Sequence, residues 1–345
     1  MSLVLMVDLS KWQSHLDAFQ SELIAATNNS QALVPVIKGN GYGVGLAILI
    51  EQAQRMGVTE VAVDTVLEAN FLNSDSKLTM QVLQPVRDSD EIKTDEFIYT
   101  IDQHSPIEKL PANAKIIVEV KTSLQRFGIE QTELSTFLKS IPVNISVIGI
   151  GTHLPIGNKK NLAQVKSIAE VVNSYALAGN TRINFYTSHL TNVELTALAD
   201  FRQLNLRVRV GTGLWLGDRS ALQLEGEILE IRAVNSRIGY GQRRIRSNQV
   251  AIVSGGTKHG IGLRAAATPT GIRSKLVSVA LGVLEALGDA RSPFVYKGKA
   301  LNFVDTPHMS VSMILLPKNH DLKVGQYLKA QVRFTTTNPD WVLTK

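Results

Sequence analysis

Leu33-Val34-Pro35-Val36-Ile37-Lys38-Gly39-Asn40-Gly41-Tyr42-Gly43-Val44-Gly45 is an apolar, β-branched run that stops at a lysine and a glycine-rich turn. Such a run reads as a strand buried on both faces, and the glycines permit positive φ and a close backbone approach to a ligand. A lysine ending a strand is most often a solvated terminal charge. Apolar walls before it and glycines after it open a second reading, an amine neutral enough for Schiff-base chemistry. The turn is not a dinucleotide fingerprint, because Val44 and Leu46 occupy its third-glycine positions. Gly260-Ile261-Gly262-Leu263-Arg264-Ala265 matches that fingerprint loosely, has no convincing strand before it, and reads as coincidence.

Outward from this stretch, short β-branched runs alternate with longer amphipathic segments up to about residue 215. Strands are predicted over 33–37, 60–64, 80–83, 97–101, 115–120, 147–151, 183–186 and 206–210, and helices over 12–26, 46–56, 132–139 and 162–178. About eight such strands, separated by helices, predict a (β/α)₈ TIM barrel rather than an open sheet. Its expected limits are residues 9–217. In a barrel the carboxyl ends of the strands carry the active site, and Lys38 stands at such an end. Past Gly217 the sequence turns β-rich, with strands predicted over 222–233, 249–254, 276–280, 311–316 and 327–334. A mostly-β C-terminal domain is expected over 218–345, with residues 1–8 adding a strand to it. No low-complexity linker divides the two, so a packed junction is expected.

At 345 residues the chain has room for two domains, and 44% hydrophobic with 19% charged residues is a globular balance. There is no cysteine, which removes disulfides, thiolate nucleophiles and Cys-ligated metals and fits a reducing cytoplasm. No metal site is read. Met1 to Asp8 is apolar but lacks a basic leader and a small-residue cleavage site, and no eighteen apolar residues run together. The expectation is a cytoplasmic protein with no membrane partner. Met1-Ser2-Leu3 is compatible with a cloning remnant. The net charge of +6 has its densest cluster at Arg243, Arg244 and Arg246, too short a run for a nucleic-acid footprint and better read as a solvated strand face or turn.

Val36-Ile37-Lys38-Gly39-Asn40-Gly41-Tyr42-Gly43 resembles the cofactor-lysine motif of the alanine racemase family, V-V-K-A-N-A-Y-G-H-G. Further stretches are similar to that family in chain order: 57–69; Val118 through Arg126-Phe127-Gly128-Ile129; Gly149-Ile150-Gly151-Thr152-His153; Arg209-Val210-Gly211; Ile238-Gly239-Tyr240-Gly241; and 309–317. The resemblance covers most of the chain and implies a pyridoxal 5'-phosphate enzyme, a homodimer with shared active sites that racemises a small amino acid. Alanine is the implied substrate, for cell-wall D-alanine supply.

By this resemblance Lys38 carries the cofactor as a Schiff base and moves one proton, while Tyr240 of the partner subunit faces it across the substrate carbon. Two bases on opposite faces permit inversion. Arg209 is implied to meet the ring nitrogen, where a fixed cation discourages a long-lived carbanion. Related barrel decarboxylases place a carboxylate there and use a cysteine. His153 is implied to stack near the ring, and Tyr42, Gly211 and Thr212 to hold the phosphate, with Thr187 or Ser188 expected to stand in for the family's phosphate-binding serine. Arg126 is implied to reach the ring's phenolic oxygen and the substrate carboxylate, and the backbone amide of Met309 that same carboxylate. In the family Arg126 is often steadied by a carbamylated lysine seven residues earlier. Glu119 occupies that position, and its native charge is expected to align Arg126.

Three departures stand out. Tyr186-Thr187-Ser188-His189-Leu190 replaces the family's H-x-x-N-S, Ser310 stands where an aspartate is expected, and the tail after Val324 lacks a clear counterpart of a late phosphate-gripping tyrosine. They admit an alternative: a diverged cofactor-binding or regulatory protein with little turnover, or a racemase of another small amino acid such as serine.

Overall fold

The computed structural model describes residues 2–73, 77–246, 248–263, 271–286 and 290–345. Two compact units emerge: Gln13–Gly41 with Leu46–Gly217, and Met1–Trp12 with Tyr42–Gly45 and Asp218–Lys345. The chain begins with β1 (Leu3–Val7) of the second unit and α1 (Leu9–Thr27). The first unit then follows as β2 (Leu33–Pro35), α2 (Leu46–Arg55), β3 (Glu60–Val63), α3 (Val66–Leu72), β4 (Thr79–Val82), β5 (Ile98–Ile101), β6 (Lys115–Val120), α4 (Leu134–Ser140), β7 (Ser146–Thr152), α5 (Asn161–Ala178), β8 (Ile183–Thr187), α6 (Asn192–Thr196), β9 (Leu204–Val210) and α7 (Thr212–Trp215).

β2 to β9 form one eight-stranded sheet in the order β2-β9-β8-β7-β6-β5-β4-β3, every pairing parallel. Its ends meet, because Val36 bridges Ala62 in parallel and the Ile37 N–H donates to the Ala62 carbonyl at 2.7 Å. The sheet is therefore a closed (β/α)₈ barrel, as the eight β-branched runs predicted. Strands with both faces covered need apolar residues on both, and β3 and β5 are buried at every position. Side chains alternate across a strand, so Val34, Val36, Ala62, Ile98, Ile117 and Tyr186 meet in one core cluster.

Polar side chains share that interior. Glu60 accepts from Arg207 Nη2 at 2.6 Å and from the Tyr186 hydroxyl at 3.2 Å, and Arg207 Nη1 donates to the Gln31 carbonyl. Burial pushes the Glu60 carboxyl up from its ordinary range, against the pull of Arg207 and Tyr186. Arg207, two residues before Arg209, is buried as well. Two residues apart on β9, the arginines share one face, and that face is the barrel interior.

In the second unit β1 pairs with β10 (Leu222–Val234), and β10 also pairs with two later strands of the same sheet. A two-stranded hairpin, β11 (Arg237–Ile238) and β12 (Arg243–Arg244), precedes β13 (Asn248–Ser254). The remaining strands are β14 (Arg291–Tyr296), β15 (Lys299–Phe303), β16 (Val311–Leu315), β17 (Tyr327–Ala330) and β18 (Trp341–Thr344). Residues 276–280, expected as a strand, lie instead within α8 (Ile272–Ala286). Arg264 and Ala265, the end of the loose glycine match, lie outside the described residues. Asp340 ties the N-terminal strand to this unit, accepting from Leu3 N at 2.9 Å, Lys258 Nζ at 3.1 Å and His259 Nε2 at 3.0 Å. Burial works against its charge, but these bonds outweigh it and hold the carboxyl at about 2.

Candidate active site

Lys38 follows the end of β2 by way of Val36, whose carbonyl accepts from Trp215 Nε1 at 2.8 Å. Beyond it the chain turns sharply. Gly41 has φ 59°, and a Cβ there would lie 2.6 Å from the Leu46 backbone nitrogen, so the turn excludes a side chain at that point. Tyr42 follows in the left-handed region (φ 55°), buried within the second unit. Lys38 Nζ donates to Asp64 Oδ1 at 3.3 Å, and Gln84 Nε2 holds Asp64 Oδ2 at 2.9 Å. Glu68 then clamps the two strand ends, accepting from Gly39 N at 3.0 Å and Asp64 N at 2.9 Å. Thr65, the N-cap of α3, fixes Glu68 by accepting from its N–H at 3.2 Å. Sequence reasoning missed Asp64 and Gln84 and gave Glu68 no role. The signal for Asp64 was its place directly after a strand neighbouring that of Lys38.

Arg209 lies inside the barrel near the carboxyl end of β9. Its Nη2 donates to Glu119 Oε1 and Oε2 at 3.3 and 3.2 Å and to the Thr152 carbonyl at 3.0 Å. The expectation that Glu119 aligns Arg126 is thus corrected: Glu119 points inward from β6 onto Arg209, and Arg126 lies past that strand. Arg126 lies against a ring, its guanidinium carbon 4.9 Å from the Phe127 centroid, with Arg87 at 5.8 Å from the same ring. Arg87 is itself fixed by a bidentate pair to Asp102 at 2.7 and 2.9 Å.

His153 follows β7. Its Nδ1 lies 3.2 Å from Ser188 Oγ, and its ring meets His189 edge-on at 5.3 Å. Burial first, then the charges of Arg209, His189, Arg126 and Lys38, push the imidazole down to about 3, so it is neutral at ordinary pH. Lys38, Arg126 and Arg209, whose charges act on this ring, stand at or just past the carboxyl ends of β2, β6 and β9. Ser188 is buried and also accepts from Leu154 N at 3.4 Å. Gly211 and Thr212 follow β9 at the same end, the Gly211 carbonyl accepting from Leu214 N and Trp215 N at 3.0 Å each.

Tyr240 and Met309 belong to the second unit, and both are largely exposed. Tyr240 sits in the β11–β12 turn, where its own N–H and that of Gly241 donate to Asp305 Oδ2. Its ring lies 4.8 Å from that of His308. Met309 offers its carbonyl to Lys258 N at 3.0 Å.

The barrel mouth thus combines a primary amine, two guanidinium groups, a neutral imidazole and buried hydroxyl and amide donors. An anionic aromatic aldehyde fits this set. The amine would condense with the carbonyl, the guanidiniums would meet acidic groups or a ring nitrogen, and the neutral imidazole would lie beside the aromatic ring without competing for the anion.

Residues 7–218 match the family model described as alanine racemase, N-terminal domain. Alanine racemase of Campylobacter concisus (strain 13826) is 27% identical over 130 residues, a stretch spanning 37% of this chain and only 38% of that protein. Among solved structures, alanine racemase of Clostridium difficile 630 superposes with a TM-score of 0.69 at 16% identity, over 96% of this chain and 87% of the other. Alanine racemase of Bartonella henselae, solved with covalently bound pyridoxal phosphate, gives 0.69 at 16% identity over 100% of both chains. Likeness at such identities is a likeness of fold.

Proposed function

The chain belongs to the alanine racemase family, and on that premise we propose that it is a pyridoxal-phosphate-dependent amino-acid racemase that interconverts L- and D-alanine. One observation carries the reading: residues from distant parts of the sequence, Lys38, Arg126, His153 and Arg209, all stand at or just past the carboxyl ends of strands of one closed barrel. When bound, the cofactor supplies an electron sink for the charge left as an α-proton departs. Lys38 holds it through Nζ, and the same amine, when free, moves the α-proton on one face. Asp64 accepts from that amine at 3.3 Å and keeps it at the mouth. Tyr240 of the partner subunit serves the opposite face, which makes the working form a homodimer.

Arg209 would face the ring nitrogen, and Arg126 the phenolic oxygen and the substrate carboxylate, which the Met309 amide also meets. Tyr42, Ser188, Gly211 and Thr212 would hold the phosphate. Among the described residues no helix is long and apolar enough to cross a membrane, and the reading places the enzyme in the cytoplasm, supplying D-alanine for peptidoglycan. A chiral assay of L-alanine with added cofactor tests it: D-alanine forms, and neither alanine nor serine racemising would overturn it. Ser310 and the 186–190 stretch favour a second reading, a cofactor-holding protein without efficient turnover. In that case the cofactor binds and the chiral assay stays blank.

A further inference from the structure

Three strands converge on the Arg209 guanidinium. Glu119 comes from β6, the Thr152 carbonyl from β7 and Arg209 itself from β9, and the carboxylate–guanidinium distance is 3.2 Å between side chains only 7% and 4% exposed. Glu119 faces Gly151 across the β6–β7 register. A Cβ at 151 would fall on the Glu119 carboxylate and lie 3.2 Å from Arg209 Nη2. Gly151 is not in the left-handed region, so the glycine answers a need for side-chain room and not for backbone freedom. All these bonds use one terminal nitrogen, Nη2, while the buried Nε has no hydrogen-bond partner among the described residues. The arginine is held by one corner of its fork.

We propose that Glu119 is the positioning residue for Arg209, that Gly151 makes the space for this pair, and that the pair presents the guanidinium to the cofactor. The inference rests on the reading of Lys38 and Arg209 as cofactor-holding groups. A guanidinium this deeply buried keeps its place only with a fixed counter-charge, and Glu119 is the carboxylate within reach. The carboxylate offsets that cation and sets the angle of the fork.

The test titrates the purified full chain with pyridoxal 5'-phosphate, following the visible band of the covalent lysine adduct, with thermal melts of each variant as the folding control. Glu119→Gln weakens binding by about tenfold or more, the cost of one lost charge-assisted bond, and moves the band, since the field at the ring changes. Glu119→Asp, which keeps the charge but retracts it by one methylene, binds between wild type and Glu119→Gln. In an Arg209→Gln background Glu119→Gln changes affinity less than about twofold, because the partner it acts through is gone. Wild-type affinity and an unmoved band in Glu119→Gln overturn the proposal, as does a full-sized loss in the Arg209→Gln background. If Glu119→Gln does not fold, wild-type affinity in Glu119→Asp overturns it equally. No lysine adduct in wild type removes both the functional reading and this inference, whereas an adduct in wild type with an indifferent Glu119 leaves the reading intact.

Discussion

Arg207 and Arg209 stand two residues apart on the same face of β9, and each reaches a buried carboxylate on another strand. Their surroundings differ. Arg207 closes on Glu60 at 2.6 Å, with the Tyr186 hydroxyl on the same carboxylate and the Gln31 carbonyl on its other nitrogen, next to an apolar layer of Val34, Ala62, Ile98 and Ile117. Arg209 is held less closely, at 3.2 Å and by a single nitrogen, and its charge acts on His153 at the barrel mouth. The same pair of residue types therefore serves as an internal brace in one layer and as a poised group in the next. Distance from the carboxyl ends of the strands decides which, because only that end opens to a ligand.

Substitutions on the brace should cost stability, and substitutions at the mouth should cost cofactor binding. The largest effect is expected for Glu60→Gln, which strands the Arg207 cation and lowers unfolding free energy by about 3–5 kcal/mol in denaturant titrations, with cofactor affinity of the folded fraction unchanged. A matching loss of affinity would break the division between layers. Next comes Gly151→Ala, whose methyl group overpacks the Glu119–Arg209 pair at a cost of about 1–3 kcal/mol. This variant sharpens the comparison by weakening cofactor binding without removing any charge.

A smaller effect, confined to acid, belongs to His153. Its folded value of about 3 lies below the ordinary 6.5, so as pH falls the unfolded chain takes the proton first. The stability this group contributes is complete above about pH 6.5 and is lost as pH falls toward 3. His153→Gln therefore flattens the acid limb of stability against pH relative to wild type, and an unchanged limb counts against a neutral buried imidazole. The smallest effect is expected for Asp64→Asn. Its pair with Lys38 has side chains 37% and 27% exposed, so stability changes by less than about 1 kcal/mol. Calorimetry reads that difference.

Much of this layout was legible in the sequence. All eight barrel strands were readable because a parallel strand covered on both faces is a short apolar run, and the observed limits differ from the expected ones by at most two residues. The lysine turn was readable because its glycines are dictated by backbone geometry. The stretch 276–280 failed for a physical reason. Leu276, Val277 and Val279 are apolar, two of them β-branched, but their helix leaves all three exposed, so no buried face of helical period marks the segment. The partner of Glu119 was read from the resemblance, which pairs that position with the arginine seven residues on, whereas strand alternation turns Glu119 inward, toward Arg209 on β9. Alternation also makes Arg207 interior once Arg209 is. Asp64 carried no motif, only a position.

The central claim is that Lys38 is the one amine of this chain built to hold the cofactor. The most direct measurement incubates the protein with pyridoxal 5'-phosphate, reduces it with borohydride, and maps the modified lysines by mass spectrometry. The account predicts one modified site per chain at Lys38, with no equivalent adduct in Lys38→Ala. Label scattered over surface lysines, or undiminished labelling in Lys38→Ala, would contradict it.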